Sequence, residues 1–332
     1  MSASTILIGD CLALLRTLPD GAAQTCVTSP PYYGLRDYGV AGQIGLEESP
    51  DAYVARLVDV FREVRRVLRD DGTLWLNLGD SYANVGKWGG SSGGKHVQAL
   101  HGDTSIGRGK RDYGEGLKNK DLIGIPWMVA FALRADGWWL RQDIIWHKPN
   151  PMPESVRDRP TSAHEHVFLL SKRDRYFYDT AAIAEPMIYA GVTGMDASGY
   201  KDEKKFNGKH AKFDKQRGHS RRHAGFNDRW HILTKAQQCS GMRNARNVWT
   251  IATQPYSGAH FATMPPDLAE RCIKAGSKPG DMVLDPFGGA GTTGLVADRL
   301  GRSATIIELN PEYAQLARER ITADAPLLAG VA

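Results

Sequence analysis

Residues 281–310, DMVLDPFGGAGTTGLVADRLGRSATIIELN, constrain the fold more than any other stretch of the chain. An apolar run ends at Asp285, a glycine-dense turn follows, and a helical pattern leads to a second apolar run ending at Glu308. Gly289, Gly291 and Gly294 fall on the G-x-G-x-x-G spacing, with Glu308 19 residues beyond Gly289. This is a nucleotide-binding strand–loop–helix–strand unit. Its glycines let a ligand approach the backbone, and the acid after the second strand accepts from ribose hydroxyls. No Gly-Lys-Ser/Thr follows, which disfavours a triphosphate loop. One such unit cannot cover both faces of a parallel sheet, so the remaining strands must come from the N-terminal half.

That half supplies them. "TILIG" reads as a strand ending at Asp10, and "AQTCV" as a strand that delivers Thr28-Ser29-Pro30-Pro31-Tyr32. The expected order is the Val283, Ile306, Ile6 and Val27 strands, in a Rossmann-like, mostly parallel α/β sheet with a circularly permuted chain. Asp285, Glu308, Asp10 and Ser29 then stand at the carboxyl ends of adjacent strands, where such sheets bind ligands. Ser49 caps a helix with Tyr53, Leu57, Val60, Phe61, Val64 and Leu68 on its apolar face, closed by Gly72. "TLWLNLGDSY", "LRQDIIWHKP" and "EHVFLLS" read as strands, and a helix runs from Pro126 through Ala135. Ten glycines in residues 86–116 predict a flexible loop. The expected division is 1–175 and 248–332 as the two halves of one catalytic domain, with 176–247 inserted.

The charge is uneven. Residues 201–246 hold thirteen Lys and Arg against four acids, a local charge of +9 where the whole chain carries +5. Phe206, Phe213, Phe226 and Trp230 interleave with them. Basic residues mixed with aromatics point to phosphate-backbone binding, with Arg217, Arg221 and Arg222 as candidate contacts; a solvated insertion is the plainer alternative. The four cysteines are scattered, without a C-x-x-C pair, which suits a reducing cytoplasm better than a disulfide framework. His210, His219, His223, His231 and Cys239 match no zinc-finger spacing, so no metal is expected. The opening "MSASTILIGD" lacks the basic run of a signal peptide, and no apolar run is long enough to span a bilayer.

TSPPY near the start and DPFGGAGTT near the end, in that order, make the chain resemble the amino-group DNA methyltransferases of the permuted β class. "HFATMPPDLAERCI", residues 260–273, resembles the segment that precedes the glycine loop in that family, and the basic middle corresponds to its target-recognition region. The resemblance implies S-adenosylmethionine as methyl donor and double-stranded DNA as substrate. It implies cofactor contacts from Asp10, Thr28, Phe261, Asp285, Phe287, Gly289, Gly291, Thr292, Thr293 and Glu308. Ser29, Pro30, Pro31 and Tyr32 become the catalytic motif, and Arg36, Lys148 and Asn150 candidate DNA contacts. No obligatory protein partner is called for; a homodimer is compatible.

The chemistry agrees. An exocyclic amine attacks only when its lone pair is turned out of the ring. The Ser29 hydroxyl and Pro30 carbonyl can accept both amino hydrogens, and proline preorganises that carbonyl. Tyr32 offers a ring on which a flipped base can stack. Ring-carbon methylation would need a cysteine nucleophile after a proline, and none of the four cysteines has one. Serine at the first motif position is more frequent in the family's cytosine-N4 enzymes and aspartate in its adenine-N6 enzymes. Cytosine N4 is therefore expected, with adenine N6 the alternative. A nicotinamide dehydrogenase would share the glycine loop but leave TSPPY and the basic segment without a role.

Overall fold

A computed structural model describes residues 4–83, 116–186, 242–254 and 263–324. The chain divides into two compact units, Met1–Asp179 with Arg246–Ala332, and Thr180–Ala245. In the first unit the elements run β1 (Ser4–Ile8), α1 (Cys11–Leu15), β2 (Ala23–Thr28), α2 (Pro50–Val67), β3 (Leu68–Leu78), α3 (Ile125–Ala135), β4 (Trp139–His147) and β5 (His164–Ser171). After the second unit, where β6 (Glu185–Pro186) pairs antiparallel with β7 (Met242–Arg243), come β8 (Val248–Thr250), α4 (Pro266–Gly276), β9 (Met282–Asp285), α5 (Thr292–Arg299), β10 (Ser303–Glu308) and α6 (Pro311–Asp324). No helix among the described residues is long and apolar enough to cross a membrane.

Among the described residues eight strands form one sheet in the order β1-β10-β9-β2-β3-β5-β4-β8. The first five are parallel, and β5 alone runs against its neighbours. The α/β expectation holds, but the expected strand order does not. β2 lies between β9 and β3, away from β1. The reason is burial: every residue of β2 is buried, as suits a central strand, whereas β1 ends with Ile8 46% exposed at the sheet edge. All four predicted ligand-side residues still lie at the carboxyl ends of adjacent parallel strands, in the order Asp10, Glu308, Asp285, Ser29.

α2 closes one face of the sheet. Ser49 caps it, its side chain accepting from Ala52 N, and Tyr53, Leu57, Val60, Phe61 and Val64 are fully buried in the core with β2 and β3 residues Cys26, Leu74 and Leu76. Burial of side chains this size contributes roughly 1.5–3 kcal/mol each. The helix stops at Val67, so Leu68 begins β3 and Gly72 lies within that strand; the expected end at Gly72 is five residues late. α3 has no capping side chain of its own, because its N-cap is Gly124. Asp80, just past β3, substitutes: one carboxylate oxygen accepts from Gly124 N and Ile125 N, both at 3.0 Å. Past β3 the glycine-rich stretch lies outside the described residues, residue 116 excepted, as does the basic segment before Met242.

Candidate active site

The two sequence motifs, far apart in the chain, meet where β2 lies beside β9. The Thr28 hydroxyl donates to the Asp285 carboxylate at 2.6 Å, and the same oxygen accepts from Phe287 N at 3.0 Å. Thr293, at the start of α5, donates to the Val27 carbonyl at 3.2 Å. Burial pushes the Asp285 carboxyl above its ordinary range, offset by those hydrogen bonds. Asp285 therefore joins the glycine loop to the serine motif.

Glu308 holds the other side of that loop. Its two oxygens accept from Gly289 N at 2.7 Å and Asn310 N at 2.8 Å, and burial raises its carboxyl pKa. Gly289 takes the left-handed region at φ 49°, and a Cβ there would meet none of the described residues within 4 Å. Open space beside a positive-φ glycine is what a ligand needs to reach the backbone. Gly291, also left-handed at φ 73°, differs: a Cβ there would stand 2.7 Å from Ala317 Cβ on α6. At Gly291 the missing side chain lets α6 pack close to the loop. Thr292 and Thr293 are buried, and the Thr292 hydroxyl accepts from Arg320 at 2.9 Å while Arg320 also donates to the Ala290 carbonyl at 3.0 Å. Arg320 thus braces the loop from α6, a role with no sequence signal in advance. Phe287 is partly buried, edge-on to Phe61 with ring centres 6.4 Å apart. Asp10 caps α1 through Ala13 N at 2.8 Å and approaches Arg56 at 3.5 Å.

On the TSPPY side, the buried Tyr53 hydroxyl donates to the Pro31 carbonyl at 2.8 Å and anchors the proline pair to α2. Tyr32 and Tyr33 part company. Tyr33 is fully buried, 5.5 Å from the Tyr53 ring. Tyr32 lies over Gly79, where a Cβ would be 2.5 Å from its Cε2, so only glycine lets the ring sit there. Its hydroxyl donates to Glu165 at 2.6 Å and accepts from Asn77 at 2.8 Å, while Asn77 also reaches Glu165 at 3.0 Å. Ser29 Oγ lies 3.4 Å from both Tyr32 Oη and Asn77 Nδ2. Burial first, and the Glu165 carboxylate second, push the Tyr32 phenol well above its usual range. Lys148 pairs with Glu165 and lies over the Trp146 ring at 4.5 Å.

The other candidates have structural partners. Asn150 holds the backbone of Thr253 at both ends, accepting from its N at 2.9 Å and donating to its O at 3.2 Å. Arg36 hydrogen-bonds to Tyr38, which packs edge-to-face on Tyr313 at 6.5 Å, beside Glu308. Phe261, Arg217, Arg221 and Arg222 lie outside the described residues.

A family model described as DNA methylase, N6_N4_Mtase, matches residues 23–319. The chain belongs to the DNA methylase family. It is 46% identical over 319 residues to the type II methyltransferase M.SmaI of Serratia marcescens, covering 95% of this chain and 90% of that protein. To M.Cfr9I of Citrobacter freundii it is 42% identical over 321 residues, covering 97% and 88%. Among solved structures, the cytosine-N4-specific PvuII DNA methyltransferase has the same fold, with a TM-score of 0.60 at 19% identity over 98% of this chain and 93% of that one. A putative DNA modification methylase of Thermus thermophilus, complexed with S-adenosyl-L-methionine, gives 0.58 at 24% identity over 99% and 98%. In this DNA methylase, Asn77 and Glu165, like Arg320, lie beside the two motifs and were passed over by sequence reading. Asn77 and Glu165 each had a signal: a lone amide inside the apolar "TLWLNL", and a carboxylate opening the apolar "EHVFLL".

Proposed function

We propose that this DNA methylase is a permuted, TSPPY-type enzyme that moves the methyl group of S-adenosylmethionine to the N4 amine of a cytosine flipped out of duplex DNA. The observation that carries the reading is the 2.6 Å hydrogen bond from Thr28 to Asp285, which sets the serine motif against the glycine loop. The residues suit the cofactor: open space at Gly289, a ribose acceptor in Glu308, and Asp285 bracing the turn between them. S-adenosylmethionine supplies an electrophilic methyl sulfonium. Ser29 and the Pro30 carbonyl accept the two amino hydrogens and turn the nitrogen lone pair outward; the Pro31 carbonyl already serves Tyr53. Tyr32, fixed by Glu165 and Asn77, provides the stacking ring. The kinship to M.SmaI and M.Cfr9I supports a type II modification enzyme acting on DNA in the bacterial cytoplasm.

Duplex DNA incubated with enzyme and cofactor, digested to nucleosides and weighed by mass spectrometry, is expected to contain N4-methylcytosine. N6-methyladenine alone would correct the base and keep the enzyme class; neither product would remove the reading altogether.

The basic segment 201–246 is the proposed phosphate-binding surface. Neutralising Arg217, Arg221 and Arg222 together is expected to weaken DNA binding and to reduce the slope of log affinity against log salt by about 0.9 for every phosphate no longer neutralised. Cofactor affinity should not change. An unaltered salt slope in a fluorescence titration reduces the segment to a solvated insertion.

A further inference from the structure

Ser29 is joined to Glu165 by hydrogen bonds whose direction is fixed by chemistry. Glu165 pairs with Lys148, both largely buried at 15% and 18% exposure, and a carboxylate so paired only accepts. The Tyr32 hydroxyl, 2.6 Å from Oε2, must therefore donate to it. Asn77 Nδ2, only a donor, approaches the same hydroxyl at 2.8 Å. With its proton directed at Glu165, Tyr32 Oη receives the Ser29 hydroxyl proton across 3.4 Å. That link is long, as hydrogen bonds of substrate-free catalytic sites commonly are before they tighten. Ser29 thus directs its proton away and keeps lone-pair capacity for an incoming amine.

We infer that Ser29, Tyr32 and Glu165 form a proton relay that takes up the amine proton as the methyl group is transferred. The inference rests on the amine-methylation reading above. The nitrogen lone pair forms the new N–C bond, and the C–S bond breaks with its electron pair going to sulfur. Sulfur becomes a neutral thioether and the positive charge passes to nitrogen. As the N–C bond forms, the nitrogen gives one proton to Ser29 Oγ, Ser29 passes its own to Tyr32 Oη, and Tyr32 passes its own to Glu165 Oε2, so the proton is in flight in the methyl-transfer step. Glu165 ends as a neutral acid and, being partly exposed, releases the proton to solvent between turnovers. Tyr32 suits the middle position because its phenol stays protonated at rest and conducts without holding charge.

The test is single-turnover methylation of duplex DNA in H2O and D2O, with cofactor affinity measured in parallel by calorimetry. The wild-type rate is expected to fall in D2O. Tyr32→Phe keeps the ring and breaks the relay. Glu165→Gln keeps volume and an acceptor but cannot take the proton. Both should slow by on the order of 100-fold and lose the isotope effect, with cofactor affinity unchanged. If Tyr32→Phe loses cofactor binding, Glu165→Gln carries the test. Lys148→Met with Glu165→Gln removes both charges, and should remain as slow as Glu165→Gln alone. Recovery of rate in that double variant makes the pair merely structural and overturns the relay. So does an isotope effect absent from the wild type or undiminished in Tyr32→Phe. A wild type that methylates nothing overturns the functional reading itself.

Discussion

Ser29→Ala is expected to lose methylation by on the order of 100- to 1,000-fold while keeping the fold and the cofactor. The factor is that of removing one preorganised hydrogen-bond partner of a reacting group, about 2.7–4 kcal/mol in the transition state. The structure explains why stability should be spared. Among the described residues Ser29 Oγ has two hydrogen-bond contacts, to Tyr32 and Asn77, and both are long at 3.4 Å. Truncation leaves Tyr32 held by Glu165 and Asn77, and Pro31 held by Tyr53. Single-turnover rates with labelled cofactor, set beside calorimetric affinity, check both halves. A rate within a few-fold of wild type would displace serine from the chemistry.

Gly291→Val acts through packing and carries the largest expected stability loss. Valine at φ 73° is strained by about 1–3 kcal/mol. Its Cβ would also stand 2.7 Å from Ala317 Cβ and 3.1 Å from Ala317 Cα, and overpacking of this kind costs about 1–3 kcal/mol more. Against a total stability of roughly 5–15 kcal/mol, the melting temperature should fall by about 5–15 °C, with cofactor binding lost as α6 pushes the loop. Gly289→Ala is the contrast: it meets none of the described residues within 4 Å, so cofactor affinity should fall with little change in melting beyond the backbone strain. Equal melting of Gly291→Val and wild type would overturn this packing assignment.

The parts of the site legible in the sequence were those built from contiguous residues. TSPPY and the glycine loop declare themselves because proline stiffness and glycine freedom are local properties, and Asp285 and Glu308 follow from their strand ends. Strand order was not legible. β2 and β9 are neighbours through Thr25 with Val283 and Cys26 with Leu284, a pairing that chain-local patterns do not encode. Tyr33 differs from Tyr32 only in the side of the backbone it occupies, one buried against Tyr53 and the other reaching Glu165. Glu165 and Asn77 lie on β5 and β3, and their union depends on the antiparallel pairing of those strands, which sets Asn77 opposite Val167 and Leu78 opposite His166. The hold of Asn150 on the Thr253 backbone was likewise hidden, because its partner lies 103 positions later.

The sheet's edge also bears on how the enzyme is made. β1 pairs in parallel with β10, Ser4 against Ala304, and β2 borders β9 on one side. A ribosome therefore releases the serine motif long before the strands that flank it exist. Until Val283 and Ile306 emerge, β1 has no partner and β2 has only β3, a state of high contact order that folds slowly and exposes strand edges to aggregation. Thr28 meets Asp285 only after that, so a nascent chain stalled before Val283 carries the TSPPY stretch without the glycine loop that it faces in the folded protein.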